Sequence, residues 1–213
     1  MKVEIWSDIA CPYCYLGKRR FDLALQALPF KDDIEVIWRS FELDPAAKAS
    51  YDESKFELLA QKYDQSEEWA KLLCESLTQQ GKAIGVDFDF EHNKVTNTFD
   101  AHRLLQLAKS KGIAGKLKEQ LLQEFFAKGA ELANKQVLVN LAIESGLTQD
   151  DIEQVLSSDL FSSEVREDES MAAEIGIQSV PFFIIDEAYG MEGAQPVEHI
   201  QQMLTDAHSG AMG

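Results

Sequence analysis

Apolar positions alternate with polar ones at both ends of the chain and follow a helical period through its middle. Residues Val3–Trp6 read as a short strand, and Ser7–Ala10 as a turn. Gly17–Leu28 reads as a helix carrying Phe21, Leu25 and Leu28. From Ile34 to Phe41 apolar and polar residues alternate again, which predicts a second strand joined to the first through the helix and parallel to it. Glu42–Ser50, with Pro45, reads as a loop. The pattern is then helical for more than a hundred residues.

Within that block, Phe56, Leu59, Ala60 and Tyr63 form one stripe, and Trp69, Leu72, Leu73, Leu77 and Ile84 a second. Ser66 is suited to cap the second helix, with Glu67 and Glu68 in its first turn. Asn97 and Asp100 offer caps for the next, which carries Leu104, Leu105 and Ala108. Further stripes are Leu117, Leu121, Leu122 and Phe125, then Val137, Leu138 and Leu141 ending at Gly146. Thr148 with Asp151 opens a short helix, and Ser163–Ile175 forms a last one closed by Gly176. Strand character returns at 181–186 and 190–192, followed by a helix over 196–207 and a small polar tail, 209–213, expected to be disordered.

A strand-helix-strand unit cannot bury both faces of its sheet, so residues 1–50 must pair with the C-terminal strands. The chain therefore reads as an α/β protein with one discontinuous domain, 1–50 plus 171–213, and a helical domain, 51–170, inserted in it. Its 213 residues are 45% hydrophobic, enough for a packed core. Twenty Lys and Arg against 37 Asp and Glu give a formal net charge of -17. Such a surface repels phosphate backbones and anionic membranes, so neither nucleic acid nor membrane is an expected partner. No apolar run approaches the roughly 20 residues needed to span a bilayer. The chain starts directly in a strand with no signal-like segment, and a cytoplasmic location is expected.

The chemistry concentrates in Cys11-Pro12-Tyr13-Cys14, between the first strand and the first helix. That position sets Cys11 at a helix N-terminus, where free backbone N–H groups and the helix dipole favour a thiolate. Pro12 suits the first helical turn. Cys14, three residues on, lies on the same face and can resolve a mixed disulfide formed at Cys11. The same spacing also occurs in zinc sites. Cys74 is the only other thiol, however, and the four histidines include no closely spaced pair, so no metal is expected. Cys74 itself reads as a small buried side chain on a helical stripe. Asp8 is either an acid of raised pKa serving Cys14 or a turn residue bonding local amides. Trp6 and Trp38 read as core, and Glu164, Glu167, Asp168 and Glu169 as a solvated helix face.

Near the C-terminus, Val180-Pro181 precedes an apolar strand, a position where proline is tolerated and where a cis bond would be a structural feature. A strand, CxxC, helix beginning and a later Val-Pro before a strand resemble the thioredoxin superfamily. The likeness narrows with Trp6-Ser7-Asp8, Tyr15-Leu16-Gly17-Lys18-Arg19-Arg20, Asn97-Thr98-Phe99-Asp100-Ala101-His102-Arg103 and Tyr189-Gly190-Met191-Glu192-Gly193-Ala194-Gln195. Together these resemble the FrnE-like branch of the DsbA family over nearly the whole chain.

The resemblance implies a thioredoxin-like fold with a large all-helical insertion and dithiol–disulfide exchange on protein or small-molecule substrates. It implies Cys11 as nucleophile, Cys14 as resolving thiol and Pro181 as the cis proline. Tyr13 stands where the family often has Trp, which bears on the redox potential. Substrate contacts are expected from Pro12, Tyr13, Val180 and His102; the backbone of Val180 would offer a strand edge to an extended peptide. His102 and Arg103 read either as lining a cleft between the two domains or as parts of a capped helix. No bound cofactor is expected, with glutathione as a candidate redox partner, and no oligomeric state follows from the sequence. Two other functions compete: a glutathione-dependent isomerase or transferase of the 2-hydroxychromene-2-carboxylate isomerase or kappa-class type, and a holdase with secondary redox chemistry. The intact cysteine pair argues against the first, and the second requires activity without the thiols.

Overall fold

The computed structural model describes residues 1–211. Strand β1 (Lys2–Ser7) leads through α1 (Pro12–Gln26) to β2 (Glu35–Ser40). Seven helices follow: α2 (Lys55–Tyr63), α3 (Glu67–Lys82), α4 (Phe99–Ser110), α5 (Ala114–Lys128), α6 (Lys135–Ser145), α7 (Gln149–Leu156) and α8 (Ser162–Glu174). The chain closes with β3 (Phe182–Ile185), β4 (Tyr189–Glu192) and α9 (Val197–Ser209).

The four strands form one sheet in the order β2-β1-β3-β4. β1 pairs in parallel with β2, Ile5 opposite Trp38, and antiparallel with β3, Ile5 opposite Phe183. The two ends of the chain therefore complete each other, as the unpaired strand-helix-strand unit required. α1 rests on the sheet through Phe21, stacked on Phe183 at 5.7 Å, and packs against α9. The core runs without a break from Val3 and Ile5 in the sheet and Ile200 of α9 to Leu104, Leu117 and Phe125 in the other helices. A second buried cluster gathers Trp6, Cys11, Cys14, Ala172, Ile177 and Val180. Among the described residues no helix is long and apolar enough to cross a membrane.

Local chemistry accounts for most helix ends. Ser66 accepts the Trp69 N–H and Thr148 the Asp151 N–H, and Gly146 closes α6 at φ 109°. At α4 the residue in the cap position is Thr98, yet its hydroxyl donates to Asp8 and the side chain of Asn97 accepts the Phe99 N–H instead. α1 starts at Pro12, five residues before the Gly17 start read from periodicity, because the proline sets the first turn; Cys14, Tyr15 and Leu16 of that added segment are buried.

Three expectations need correction. Leu72 sits off the buried stripe of α3 and is 60% exposed, the buried face being Ala70, Cys74, Leu77 and Gly81. The supposed tail is helical through Ser209 and capped by Gly210, while Met212 and Gly213 lie outside the described residues. α8, which carries residues 170 and 171, packs on β2. Asp168 is also no part of a solvated face. It is buried and accepts Arg39 Nη1 at 2.8 Å, the Ser40 N–H at 2.8 Å and Gln106 Nε2 at 2.5 Å. A buried acid with a close ion pair to Arg39, a longer one to Lys109 at 4.0 Å and two further donors ties α8 and α4 to β2, which periodicity alone does not reveal.

Candidate functional site

The turn after β1 delivers Cys11 to the N-cap of α1 in an extended conformation (φ -94°, ψ 113°), with Pro12 next. The N–H groups of Cys14 and Tyr15 bond the Cys11 carbonyl at 3.1 and 3.3 Å. Both thiols are free and buried, Cys11 3% and Cys14 1% exposed, while Tyr13 between them is 42% exposed. Their environments push them apart. The Cys14 side chain, hydrogen-bonded to Cys11, lowers the Cys11 pKa; burial and the Asp8 charge oppose this, the backbone N–H groups of Cys14 and Tyr13 assist it, and the net direction is down. Burial, followed by the hydrogen bond and charge of Cys11, drives Cys14 well above the ordinary thiol range. One sulfur is thus suited to be a thiolate and the other to hold its proton.

The Cys11 thiol donates to the Val180 carbonyl at 3.6 Å, and the Val180–Pro181 bond is cis. Pro181 is held from two sides. Its carbonyl accepts the Gly193 N–H at 2.8 Å, and its ring packs so closely on α1 that a Cβ on Gly17 would come within 2.7 Å of Cγ. Two separated motifs, around Gly17 and around Gly193, therefore converge on the proline beside the cysteine pair.

Asp8, 2% exposed, accepts the Leu43 N–H at 2.9 Å, the Thr98 hydroxyl at 3.0 Å and the Ala10 N–H at 3.3 Å, and lies 3.2 Å from His102 Nε2. Burial raises its pKa, but the hydrogen bond and charge of His102, the Leu43 N–H and the Lys118 charge outweigh it, so Asp8 ends below the ordinary carboxyl value. This corrects the acid of raised pKa. Asp8 is an anchored anion holding the turn before Cys11 to α4. His102 is fully buried behind it, with Nδ1 unpartnered among the described residues. Arg103 bonds the carbonyls of Val155, Ser158 and Leu160 and the Asp100 carboxylate, so the helix-capping alternative describes it.

Two lysines were missed. Lys118 of α5 is 1% exposed, donates to the Ser7 carbonyl at 3.0 Å, and is pushed down to about 8, burial outweighing the opposing charges of Cys14, Asp8 and Cys11. Its charge in turn opposes the rise at Cys14. Lys55 of α2 is buried and also lowered to about 8 by burial. A signal existed: Lys118 shares helical spacing with Leu122 and Phe125, and Lys55 with Leu58 and Leu59, so each interrupts an apolar face.

Beside the cysteines opens a cavity of about 600 Å³. Cys11, Pro12 and Tyr13 line it together with Cys74, Lys55 and apolar side chains of α2 and α3. Cys74, pushed up to about 11 by burial, is a thiol at neutral pH. Of the residues expected to contact substrate, Pro12 and Tyr13 reach this cavity; His102 does not, and Val180 borders Cys11 outside it. Trp6 and Trp38 are core, as read from the sequence. Among the described residues no group of three or more His, Cys, Asp or Glu is placed to hold a metal ion.

Residues 2–205 match the DSBA-like thioredoxin domain profile. A probable DsbA oxidoreductase from Streptomyces coelicolor is 41% identical, with a TM-score of 0.93 over 98% of this chain and 90% of that one. A 2-hydroxychromene-2-carboxylate isomerase superposes with a TM-score of 0.71 at 14% identity, covering 100% of this chain and 96% of that one. The cytosolic disulfide reductase DsbM from Pseudomonas aeruginosa, with glutathione, superposes at 0.69 and 12% identity, covering 98% and 100%. At such identities the last two share the fold.

Proposed function

Since the chain belongs to the DSBA-like thioredoxin domain family, we propose that it is a thiol–disulfide oxidoreductase with Cys11 as nucleophile, Cys14 as resolving thiol and Pro181 beside them. The supporting observation is the asymmetry of the pair, Cys11 lowered and Cys14 raised well above the thiol range. In the first step the Cys11 thiolate attacks one sulfur of a substrate disulfide; a mixed disulfide forms and the second substrate sulfur leaves as a thiolate. Cys14 then gives up its proton and attacks Cys11 Sγ. The internal disulfide forms, and the released substrate thiolate takes the proton. Run backwards, the same steps oxidise a substrate dithiol.

Lys118 supports the second step as a positioning residue, its charge favouring the Cys14 thiolate in a dry environment. Pro12 and Tyr13 meet the substrate on the cavity side, and the Val180 carbonyl holds the Cys11 thiol in the resting state. Protein and low-molecular-weight disulfides both fall within the proposal, with glutathione as redox partner and the cytoplasm as compartment; a fold relative, DsbM, is a cytosolic disulfide reductase.

The test is equilibration in glutathione redox buffers, with the Cys11–Cys14 state read by alkylation and mass. A reversible two-electron titration is expected, abolished in Cys14→Ser. A stable glutathione adduct on Cys11 with no internal disulfide would overturn the reading in favour of a glutathione-dependent isomerase, whose fold this chain shares.

A further inference from the structure

The cavity beside Cys11 contains a buried positive charge that no step of the disulfide exchange described above employs, although it faces the charges of Cys11 and Cys74. Lys55 lies on its wall and is only 8% exposed. Its Nζ donates to the Asn93 side-chain oxygen and stands 5.1, 5.2 and 5.5 Å from the ring centres of Phe126, Phe90 and Phe125. Asn93 is itself buried and spends its amide on the Phe125 carbonyl at 2.7 Å. One neutral oxygen and three ring faces orient the ammonium, yet among the described residues no carboxylate is paired with it. A buried ammonium without a counter-charge is costly unless something supplies one. The rest of the lining is mixed: Leu58, Leu59, Leu73 and Leu77 are apolar, while the carboxylates Asp8 and Asp44 also border the space. At about 600 Å³ it has the size of a small-molecule site and is narrow for a folded protein segment.

We propose that this cavity binds a small apolar molecule bearing one carboxylate or comparable anion, with the anionic group on Lys55 Nζ and the apolar body along Leu58, Leu73 and Leu77 toward Cys11. Combined with the thiol–disulfide reading, on which this clause rests, it makes the preferred partner of Cys11 a low-molecular-weight apolar thiol or disulfide with an acidic group. Burial depresses the Lys55 pKa to about 8 against the opposing charges of Cys74 and Cys11, and the site retains its charge near neutral pH.

Calorimetric titration of the full chain at about pH 6.5 with biphenyl-4-carboxylate and biphenyl-4-carboxamide tests this without any disulfide exchange. The acid should bind at least about tenfold tighter than the amide. That preference should vanish in Lys55→Met, and bound acid should slow alkylation of Cys11. In Leu58→Trp, which keeps the charge and fills the cavity, both probes should be lost. Equal binding of acid and amide, no binding of either, or a preference that survives in Lys55→Met overturns the proposal. Tighter binding of S-methylglutathione than of the acid overturns the apolar class in favour of a peptide. If Lys55→Met does not fold, Leu58→Trp and the acid–amide comparison on the unaltered chain decide. Failure here leaves the redox titration untouched, and failure of the redox titration leaves this binding assay untouched.

Discussion

Replacing Lys118 by Met should make the protein more stable and a slower catalyst, and the stability gain should depend on pH in a way that identifies its cause. Burial takes Lys118 from 10.5 to about 8. At about 1.36 kcal/mol per pH unit, that drop means the charged form costs the folded state about 3 kcal/mol at pH 7. Methionine is similar in length, removes the charge, and forfeits the hydrogen bond to the Ser7 carbonyl, a loss of about 1 kcal/mol. The net expectation is a gain of about 2 kcal/mol at neutral pH. The sign follows from linkage. A lysine with a depressed folded pKa binds fewer protons in the folded than in the unfolded chain, so the wild type gains stability as pH rises from about 8 toward 10.5. The methionine variant lacks that gain, and by about pH 9.5 roughly 2 kcal/mol of the difference should have disappeared. Urea unfolding of wild type and variant between about pH 7 and 9.5, with the thiols kept reduced, measures this directly. A variant less stable at pH 7, or a difference constant across the range, would refute the argument. Rapid-mixing kinetics of the mixed disulfide should show the cost: slower attack by Cys14, with attack by Cys11 less affected.

Three further outcomes follow from the site and its supports. Because the Cys14 hydrogen bond is the largest cause lowering Cys11, Cys14→Ala should move the midpoint of the Cys11 alkylation profile to higher pH; an unchanged midpoint would return the thiolate to the helix N-terminus alone. Gly17→Ala forces a Cβ to 2.7 Å from Pro181 Cγ, so it should cost about 1–3 kcal/mol in urea unfolding and alter the Cys11 alkylation rate; a neutral result would mean that α1 and Pro181 separate freely. Asp168→Asn leaves the half-buried Arg39 with Glu4 and weakens the bonds to Ser40 and Gln106, and a loss of about 3 kcal/mol is expected in the same assay.

Periodicity, turn residues and one dipeptide spacing carry information local enough to be read along the chain. The strands at 3–6 and 181–186, the Ser66 and Thr148 caps, the Gly146 stop and the placement of Cys11 before a helix were all legible, because each depends on neighbours within about four residues. Leu72 shows where this stops: it has the spacing of a buried position, but what α3 packs against decides which face is covered.

The chain alone determined that an acidic α/β protein would place two thiols at a helix N-terminus and would have to bring its C-terminal strands back to its first. Tertiary structure decided the rest, because burial and charge at a site are summed over elements far apart in sequence. Asp8 became an anchored anion when Leu43, Thr98 and His102 arrived around it. Gly17 acquired its role only when Pro181 packed on it. Lys118 and Lys55, outwardly two surface lysines among twenty basic residues, became buried charges near the site because α5 and α2 carry them inward.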